Sequence, residues 1–407
     1  MLKIQSLPAG EGDALWIEWG PKNNPHKILI DMGRASHGRK IYKRIKALPK
    51  EKRHFELFIL THVDRDHIGG VLGGFVGKPD IPGLKFKDIW FNGWNHLHGL
   101  NISDDAPSRR KKYNRERSRN VTPNAQSARK AIGPAKVTTR GALQGEKFSE
   151  WLETNWLQNG QNWNGKFDGG PVIRPETTIP DPILFQGGLS LTILGPTQSI
   201  LRDFIPGWVK ELQKAIADQR SDIPASIMRG LDGFGTWRAA NRNVRPRLTD
   251  KASLLALADK RTKIDHSSAN GSSICVLLEY KGKRVLLTGD AHPDTLLEAL
   301  NIYSPDQPLS VDLVKLPHHG SEKNVTSELI EKLHSPRFLI STSGSYFGHP
   351  DPVAIARIIA KSLNDRPQIL FNVQSKHNAW WDNPNWKHKF EYDTLYGDPD
   401  TGLEIVL

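Results

Sequence analysis

Short apolar runs alternate along the chain with stretches in which apolar residues recur at helical spacing, and most apolar runs end in polar residues. Such runs predict buried strands, and the periodic stretches between them predict helices that cover those strands. In the first part of the chain, strands are expected at 2–7, 14–19, 27–31 and 55–60, with a helix at 38–48 that stops before Pro49. This order favours a mixed sheet flanked by helices.

The same alternation returns in the second half of the chain. Strands are expected at 183–185, 189–194, 272–280, 284–288, 311–316, 337–341 and 368–373, and helices at 199–219, 293–301, 325–334 and 352–362. The strands at 272–280 and 284–288 face each other across Lys281-Gly282-Lys283, which predicts a hairpin. We therefore expect the α/β (α+β) class.

Two polar regions, at 75–180 and 220–270, interrupt this alternation. Their apolar runs are few, apart from Ile89-Trp90-Phe91, so we interpret them as insertions within a single domain that spans residues 1–407. Near the end of the chain, three tryptophans could stack on the bases of a nucleic acid or pack against the edge of the sheets. They are Trp380, Trp381 and Trp386.

The stretch from Thr61 to Gly70 places four potential metal ligands within six residues, directly after a predicted strand. His62 and Asp64 are two positions apart, so in extended backbone they project to the same side. Asp66 and His67 open a predicted helix, whose unpaired N–H groups favour a carboxylate. Imidazole and carboxylate groups clustered at a strand end are typical of a catalytic divalent-metal site.

Other predicted strands also end in polar side chains of this kind. Asp31, Asp290 and the pair His318-His319 each follow an apolar run, and His349 follows a fifth. Residues at the ends of buried strands on one edge of a sheet converge in space. The sequence therefore predicts one site assembled from distant segments.

This series of motifs resembles the metallo-β-lactamase superfamily and, within it, the hydrolase domain of ComEC-type DNA-uptake competence proteins. The motifs that carry the resemblance are Gly10-Glu11-Gly12-Asp13-Ala14, Thr61 to Gly70, Asn270-Gly271-Ser272-Ser273, Leu287-Thr288-Gly289-Asp290, Leu316 to Ser321 and His349-Pro350. The resemblance implies an αββα sandwich with large insertions between the central metal motif and a bridging aspartate. The ComEC membrane channel has no counterpart here, so DNA uptake itself is not implied.

The resemblance also implies two divalent metal ions, Zn²⁺ or Mn²⁺. The implied ligands are imidazoles and carboxylates at the strand ends: His62 and Asp64 for the first ion, Asp66 and His67 for the second, Asp290 as the bridge, and one of His318 and His319, with His319 preferred. Asp31 would brace the metal-binding loop rather than bind metal. The superfamily's separate histidine ligand has no clear match, and His96 and His98 are candidates by location only.

The mechanism implied is hydrolysis by a hydroxide that the two metal ions activate. Asp66 or a neighbouring carboxylate would orient that hydroxide. His318 and His349 would contact substrate oxygens or protonate the leaving group. Asp64 stands where the superfamily usually has a second histidine, and this oxygen ligand makes Mn²⁺ a competitor of Zn²⁺.

The formal net charge of +12 favours an anionic partner such as nucleic acid. One basic run could follow a phosphate backbone or form a solvated surface. It contains Arg109, Arg110, Lys111, Lys112, Arg115, Arg117 and Arg119. The single cysteine, Cys275, excludes an internal disulfide and suits the cytosol. Because no apolar run is long enough to span a bilayer, we expect a cytoplasmic protein without a membrane partner.

Three functions fit these observations. The first expectation is a metal-dependent phosphodiesterase that acts as a nuclease on DNA. The second keeps the metal centre but hydrolyses a small phosphoester, such as a phosphocholine ester or a cyclic nucleotide. The third is a non-catalytic component that binds nucleic acid or protein. Salt-dependent binding through the basic run would separate the first from the second, and stoichiometric metal would argue against the third.

Overall fold

The computed structural model describes residues 1–76, 78–102, 141–220 and 244–407, with the backbone alone at 213–220. Two mixed sheets form its centre, and strands are numbered along the chain. The first sheet has the order β18-β1-β2-β3-β5-β7. Its strands are β1 (Leu2–Ser6), β2 (Leu15–Trp19), β3 (His26–Ile30), β5 (Leu57–Ile59), β7 (Ile89–Trp90) and β18 (Leu403–Val406).

The second sheet has the order β17-β16-β15-β13-β11-β10-β9-β8. Its strands are β8 (Ile183–Leu184), β9 (Ser190–Gly195), β10 (Cys275–Tyr280), β11 (Lys283–Leu287), β13 (Leu313–Lys315), β15 (Arg337–Ile340), β16 (Gln368–Phe371) and β17 (Asp393–Tyr396). Two short parallel pairs lie outside both sheets, β4 (His54–Phe55) with β6 (Lys85–Phe86) and β12 (Leu309–Ser310) with β14 (Leu333–His334). The hairpin expected from the sequence is present as β10 and β11.

Helices and short helical turns connect these strands. The helices lie at Ala35–Ala47, Arg65–Gly74, Trp94–Leu97, Gly141–Trp151, Gln198–Asp203, Ile205–Arg220, Lys251–Ala258, Ser268–Gly271, Pro293–Tyr303, Ser327–Glu331, Pro352–Lys361 and Pro384–Phe390. The short turns lie at Lys50–Lys52, Leu152–Trp156, Leu157–Asn159, Gly165–Phe167, Pro317–Gly320 and Ala379–Asp382. None of the helices in the described ranges is long and apolar enough to cross a lipid bilayer.

Successive side chains of each strand point to opposite faces of its sheet, and this creates three apolar layers. Strand β2 is an example. Leu15 and Ile17 lie in the layer between the two sheets, together with Val276 of the second sheet. Trp16 points the opposite way and packs with Ile41 of the helix Ala35–Ala47 in an outer layer. Neighbouring strand residues face opposite sides, so each sheet can bury both of its faces.

A second outer layer covers the other sheet. Leu277 and Val314 of that sheet pack there with Leu296 and Ile355, which belong to the helices Pro293–Tyr303 and Pro352–Lys361. Helix, sheet, sheet and helix therefore follow one another through the molecule. The αββα sandwich implied by the resemblance is confirmed.

Two glycines bring the helices Ala35–Ala47 and Arg65–Gly74 into backbone contact. A Cβ atom added to Gly38 would lie 1.9 Å from the carbonyl oxygen of Gly70, far inside van der Waals contact. The Gly70 N–H also donates to the Gly33 carbonyl oxygen at 2.6 Å. This contact fixes the helix that begins directly after Asp64, and with it the start of the central motif.

The described structure departs from the sequence expectations in several places, among them the region 75–180, which supplies Phe148, Leu152 and Trp163 to an outer apolar layer. The helix expected at 199–219 is two helices that meet at Phe204, before Pro206. Within 244–270, the helix Lys251–Ala258 contributes Leu254 to an outer layer, although the region was interpreted as a polar insertion. The strands β17 and β18 were not expected. The single-domain boundary and the two insertions stay predictions.

The tryptophans near the end of the chain bear on a choice that the sequence left open. Trp381 is fully buried, and Trp386 is nearly so, in the outer layer over the second sheet. Trp380 is half-buried against the same layer. Packing therefore explains these side chains. The seven basic residues of 109–119 lie outside the described residues.

Candidate metal centre

Parallel strands deliver the polar loops to one edge of each sheet. β3, β5 and β7 run parallel in the first sheet, and β11, β13 and β15 run parallel in the second. Asp31 and the motif at 61–67 follow β3 and β5, while Asp290 and His319 follow β11 and β13. The carboxyl ends of these strands meet, so side chains distant in sequence share one cavity.

Asp31 fixes the orientation of His67. Its Oδ2 atom accepts a hydrogen bond from His67 Nδ1 at 2.7 Å, and its two carboxylate oxygens also accept from the N–H and the hydroxyl of Thr61 at 2.8 and 2.7 Å. With Nδ1 donating, the lone pair of neutral His67 resides on Nε2. Asp31 therefore lies behind the imidazole and turns its Nε2 atom towards the shared cavity.

Two further imidazoles are oriented in the same way. His319 Nδ1 donates to the Ser341 carbonyl oxygen at 2.9 Å. His62 Nδ1 lies 3.0 Å from Thr61 Oγ1, whose own hydrogen is donated to Asp31. A carbonyl oxygen, and a hydroxyl whose hydrogen is already used, can only accept from these rings. The Nε2 atoms of both neutral rings therefore carry lone pairs.

The three Nε2 atoms converge on one carboxylate oxygen. Asp290 Oδ2 lies 3.2 Å from His319 Nε2, 3.4 Å from His67 Nε2 and 3.8 Å from His62 Nε2. Lone pairs facing a carboxylate at such distances repel unless a cation or protons lie among them. Two buried atoms, His62 Nε2 and Asp290 Oδ1, have no hydrogen-bond partner in the described chain. These two atoms are therefore free to bind a cation.

The donor spacing fits a divalent metal ion. Bonds of about 2.0–2.1 Å in tetrahedral geometry place neighbouring ligand atoms roughly 3.4 Å apart. His67 Nε2 lies 3.3 Å from His319 Nε2, which lies 3.5 Å from Asp66 Oδ2. His62 Nε2 lies 3.9 Å from Asp64 Oδ2, at the partly exposed side of the cavity. A buried His/Asp cluster able to bind a divalent metal is therefore present.

The candidate ligands surround Asp290, with Asp66 next to His319 and Asp64 next to His62. All the residues expected to bind metal are thus brought together, with His319 rather than His318 facing the cavity. Asp31 contacts His67 from behind and does not face the shared carboxylate.

The surroundings shift the pKa values of these groups strongly. Burial lowers the pKa of His62 to about 3, helped by the positive charge of His67. Burial, Asp66 and Asp290 together raise the pKa of Asp64 to about 7. Burial would lower the pKa of His67, but Asp290 and Asp31 outweigh it and raise the pKa well above its ordinary value. Without metal, His67 and Asp64 therefore favour their protonated forms, whereas His62 stays neutral.

Asp13 and Lys315 form a buried ion pair beside the donors that the sequence analysis missed. Lys315 Nζ pairs with Asp13, donates to the Gly289 carbonyl oxygen at 3.0 Å and lies 3.8 Å from Asp290 Oδ1. Asp13 Oδ1 is 3.4 Å from His319 Nδ1. Asp13 is close enough to join the donors, yet its charge is engaged by Lys315, so we assign it a supporting position. A lysine inside an apolar strand was the available signal.

His318 lies outside the donor group and faces a polar network. Its Nδ1 atom donates to Asn324 Oδ1 at 2.9 Å and lies 3.3 Å from Asp265 Oδ2. Its ring centroid is 5.3 Å from that of His349, whose Nδ1 atom is 3.4 Å from Asp351. His318 and His349 therefore stand together beside the donors.

Strained backbone accompanies the centre. Asp31, His318 and His319 have φ angles of 54°, 46° and 55°, in the left-handed region that residues with a Cβ atom disfavour. Each such residue costs on the order of 1 kcal/mol and persists where the surroundings enforce it. The rings of adjacent His318 and His319 are nearly perpendicular, at 80°, and their Nδ1 atoms donate to different groups.

His96 has a structural role, which answers one question left open by the sequence. Its Nδ1 atom accepts from the Gly93 N–H at 3.0 Å, and its Nε2 atom donates to the Gly169 carbonyl oxygen at 3.2 Å. Both nitrogens are thus used within neighbouring loops. His98 packs edge-on against Trp94 at 4.8 Å. Neither histidine joins the donor cluster found among the described residues.

Comparisons with known proteins give local and weak similarities. No protein-family model matches the chain. ComE operon protein 3 of Bacillus subtilis (strain 168) is 31% identical over 87 residues, which make up 21% of this chain and 11% of that protein. The metallo-β-lactamase fold protein YhfI of Bacillus subtilis aligns over 99% of this chain and 98% of its own, at 10% identity and a TM-score of 0.34. An alignment with this TM-score does not support a fold assignment. The assignment made above depends on the sheet topology.

Proposed function

We propose that this protein is a metal-dependent hydrolase, specifically a phosphodiesterase that cleaves DNA. The convergence of three imidazole Nε2 atoms on Asp290 Oδ2 carries the proposal. It supports a centre in which these residues would hold two divalent ions, Zn²⁺ or Mn²⁺, with Asp290 within reach of both. A strained, buried arrangement of this kind costs stability, and such cost is typical of catalytic sites.

The residues of the chain supply most of the chemistry that such hydrolysis needs. When bound, a divalent cation polarises a phosphoryl oxygen and makes a water molecule more acidic. Burial would raise the pKa of Asp66, but His319 and His67 outweigh it and keep the carboxylate ionised. Asp66 can therefore accept a hydrogen bond from the attacking water and hold it in line with the ester.

His318 and His349 are placed to act on the other side of the ester. Burial would lower the pKa of His318, but Asp265 and Asp290 outweigh it and raise the pKa, so the ring can carry a proton. As the water oxygen bonds to phosphorus and the bond to the leaving oxygen breaks, His318 can protonate that oxygen. His349, one ring away, can donate to a phosphoryl oxygen.

Charge and local similarity support DNA as the substrate. The net charge of +12 favours a polyanion, and the basic run at 109–119 would contact phosphates without reading sequence. The segment that is similar to ComE operon protein 3 supports placement in the ComEC-type branch. Asp64, in place of a second histidine, fits that branch and favours Mn²⁺ more than an all-histidine site would. We place the protein in the cytoplasm.

A substrate panel with purified, metal-reconstituted protein tests the proposal. Single- and double-stranded DNA, RNA, cyclic nucleotides and phosphocholine esters are compared with each metal. We expect DNA cleavage that Asp66→Ala and His67→Ala abolish, while the matched exposed substitutions Asp306→Ala and His388→Ala retain it. Full activity in the first two variants would refute the assignment. Hydrolysis of small esters but not of DNA would show that the substrate is a small phosphoester.

A further inference from the structure

An exposed aromatic side chain lies beside the candidate metal centre. Phe347 is 41% exposed, and among the described phenylalanine, tyrosine and tryptophan residues no other is exposed. Its ring lies against that of His349, with centroids 6.1 Å apart and an angle of 28° between the planes. Tyr346 contacts the Phe347 ring edge-on at 4.6 Å. Phe347 is thus held by two neighbouring rings while part of its surface meets solvent.

A row of aromatic rings connects Phe347 to the donors. The centroid of the His319 ring is 5.8 Å from that of His318, which is 5.3 Å from that of His349. His349 is next to Phe347 at 6.1 Å. His319 Nε2 is itself 3.2 Å from Asp290 Oδ2. The exposed ring therefore begins a continuous path that ends at the metal donors.

The loop that carries Phe347 is anchored to the same segment as the donors. Residues 10–13 contact both: the Ser345 hydroxyl donates to Glu11 Oε1 at 2.7 Å, and a Cβ atom on Gly12 would lie 1.6 Å from the Asp66 carbonyl oxygen. An exposed phenylalanine on an unsupported loop tip would not indicate a binding site. Here the support fixes the position of the ring relative to Asp66.

A guanidinium lies over the neighbouring Tyr346 ring and pairs with a carboxylate. The Arg34 guanidinium lies over the Tyr346 ring, 4.9 Å from its centroid, and its Nε atom forms an ion pair with Glu11 at 3.0 Å. Glu11 offsets this charge, so the aromatic surface, on which the bases of single-stranded nucleic acids stack, carries the inference.

We propose that the exposed ring of Phe347, backed by His349, is a stacking site for the base of a nucleotide whose phosphodiester lies at the candidate metal centre. The inference rests on the proposed function and specifies its substrate as a phosphodiester that bears a nucleobase. Every base has an aromatic face, so the site accepts any of them and selects against base-free esters. Cyclic or linear nucleotides would share this site, whereas phosphocholine esters would gain nothing from it.

The test compares two phosphodiesters, one that carries a nucleoside and one that has a methyl group in its place. The metal-reconstituted full chain is assayed with thymidine 5′-(4-nitrophenyl phosphate) and with methyl 4-nitrophenyl phosphate, and the ratio of their kcat/KM values is measured. We expect the ratio to favour the thymidine ester and to fall about tenfold in Phe347→Ala, through KM rather than kcat. Phe347→Tyr keeps a ring and retains the ratio.

A control substitution and a binding experiment complete the test. Leu363 is 47% exposed and lies beyond the far end of the helix that begins at Pro352, so Leu363→Ala should keep the wild-type ratio. By fluorescence anisotropy without metal, Phe347→Ala should weaken binding of oligothymidylate more than binding of the same strand with abasic sites. Equal weakening of both strands would overturn the stacking site.

The outcomes separate the two proposals. If wild-type protein hydrolyses both esters and Phe347→Ala leaves their ratio unchanged, the stacking site is wrong and the phosphodiesterase stands. If wild-type protein hydrolyses neither ester with any metal, the proposed function fails and the stacking site fails with it. A ratio that falls in Phe347→Ala and holds in Phe347→Tyr supports both.

Discussion

His67 and His319 turn their Nε2 atoms towards each other at 3.3 Å, although 252 positions separate them in the chain. Each ring has its Nδ1 atom committed behind it, to the Asp31 carboxylate and to the Ser341 carbonyl oxygen. Two lone pairs cannot face each other at this distance without a proton or a cation between them. The fold therefore holds an arrangement that a metal ion would complete.

Metal binding should release protons. Burial lowers the pKa values of His67 and His319, but the neighbouring carboxylates outweigh it and raise them, and the pKa of Asp64 is raised to about 7. In metal-free protein near neutral pH, the two histidines therefore hold protons and Asp64 is partly protonated. A metal must displace these protons, so affinity should rise with pH and weaken as pH falls below about 7. Calorimetry in buffers of different ionisation enthalpy measures the release. Heats that are independent of the buffer would contradict it.

Substitution of Asp31 should weaken metal binding without direct loss of a ligand. Asp31→Ala removes the acceptor that orients His67, and loss of such a partner typically costs about 10–100-fold in metal affinity. Asp31→Asn keeps an acceptor oxygen and tolerates the positive φ of 54°, so it should cost less. Competition titration with a chromogenic chelator ranks the variants. Equal metal affinity in wild type and Asp31→Ala would show that Asp31 does not orient His67 for metal binding.

The ion pair between Asp13 and Lys315 should contribute to the free energy of unfolding as well as to the geometry of the site. Lys315→Met leaves a buried carboxylate without its partner, which should cost about 3–5 kcal/mol in the free energy of unfolding. Adding Asp13→Asn removes the orphaned charge and should restore part of the loss. Urea unfolding of both variants gives the values. If the double variant is no more stable than Lys315→Met, the unpaired Asp13 carboxylate is not the cause of the lost stability.

Binding of DNA should depend on salt through the basic run. Replacing Arg109, Arg110, Lys111 and Lys112 by glutamine should reduce the slope of log affinity against log salt by about 0.7–0.9 for each phosphate that the variant no longer neutralises. The matched control neutralises four exposed lysines: Lys43, Lys46, Lys50 and Lys52. An identical reduction in both variants would show a general charge effect rather than a binding run.

The sequence predicted those features that local patterns determine. The motif at 61–67 could be recognised because its donors are close in sequence, and the strand ends followed from apolar runs. Asp13 and Lys315 are distant in the chain, so the lysine within an apolar strand indicates a buried charge but not its partner. The choice of His319 over His318 as the residue facing the donors depends on two backbone angles that their neighbours impose.

Elements at the sheet edges were also hard to predict. β17 is partly exposed along its length, and Leu395 is 44% exposed, so the strand lacks the apolar signature of a buried one. The helix Lys251–Ala258 follows a polar stretch and is too short to show a clear period. β17 is stabilised by pairing with β16, and the helix by packing in the layer over the second sheet, rather than by intrinsic preference.

Anomalous diffraction from crystals of the protein soaked with Mn²⁺ or Zn²⁺ tests the central claim most directly. We predict peaks within about 2.0–2.3 Å of the Nε2 atoms of His62, His67 and His319, with Asp290 between them. Crystals that contain the soaked metal in the surrounding solution but show no peak at these nitrogens would contradict the metal centre, and the hydrolase proposed from it would fall.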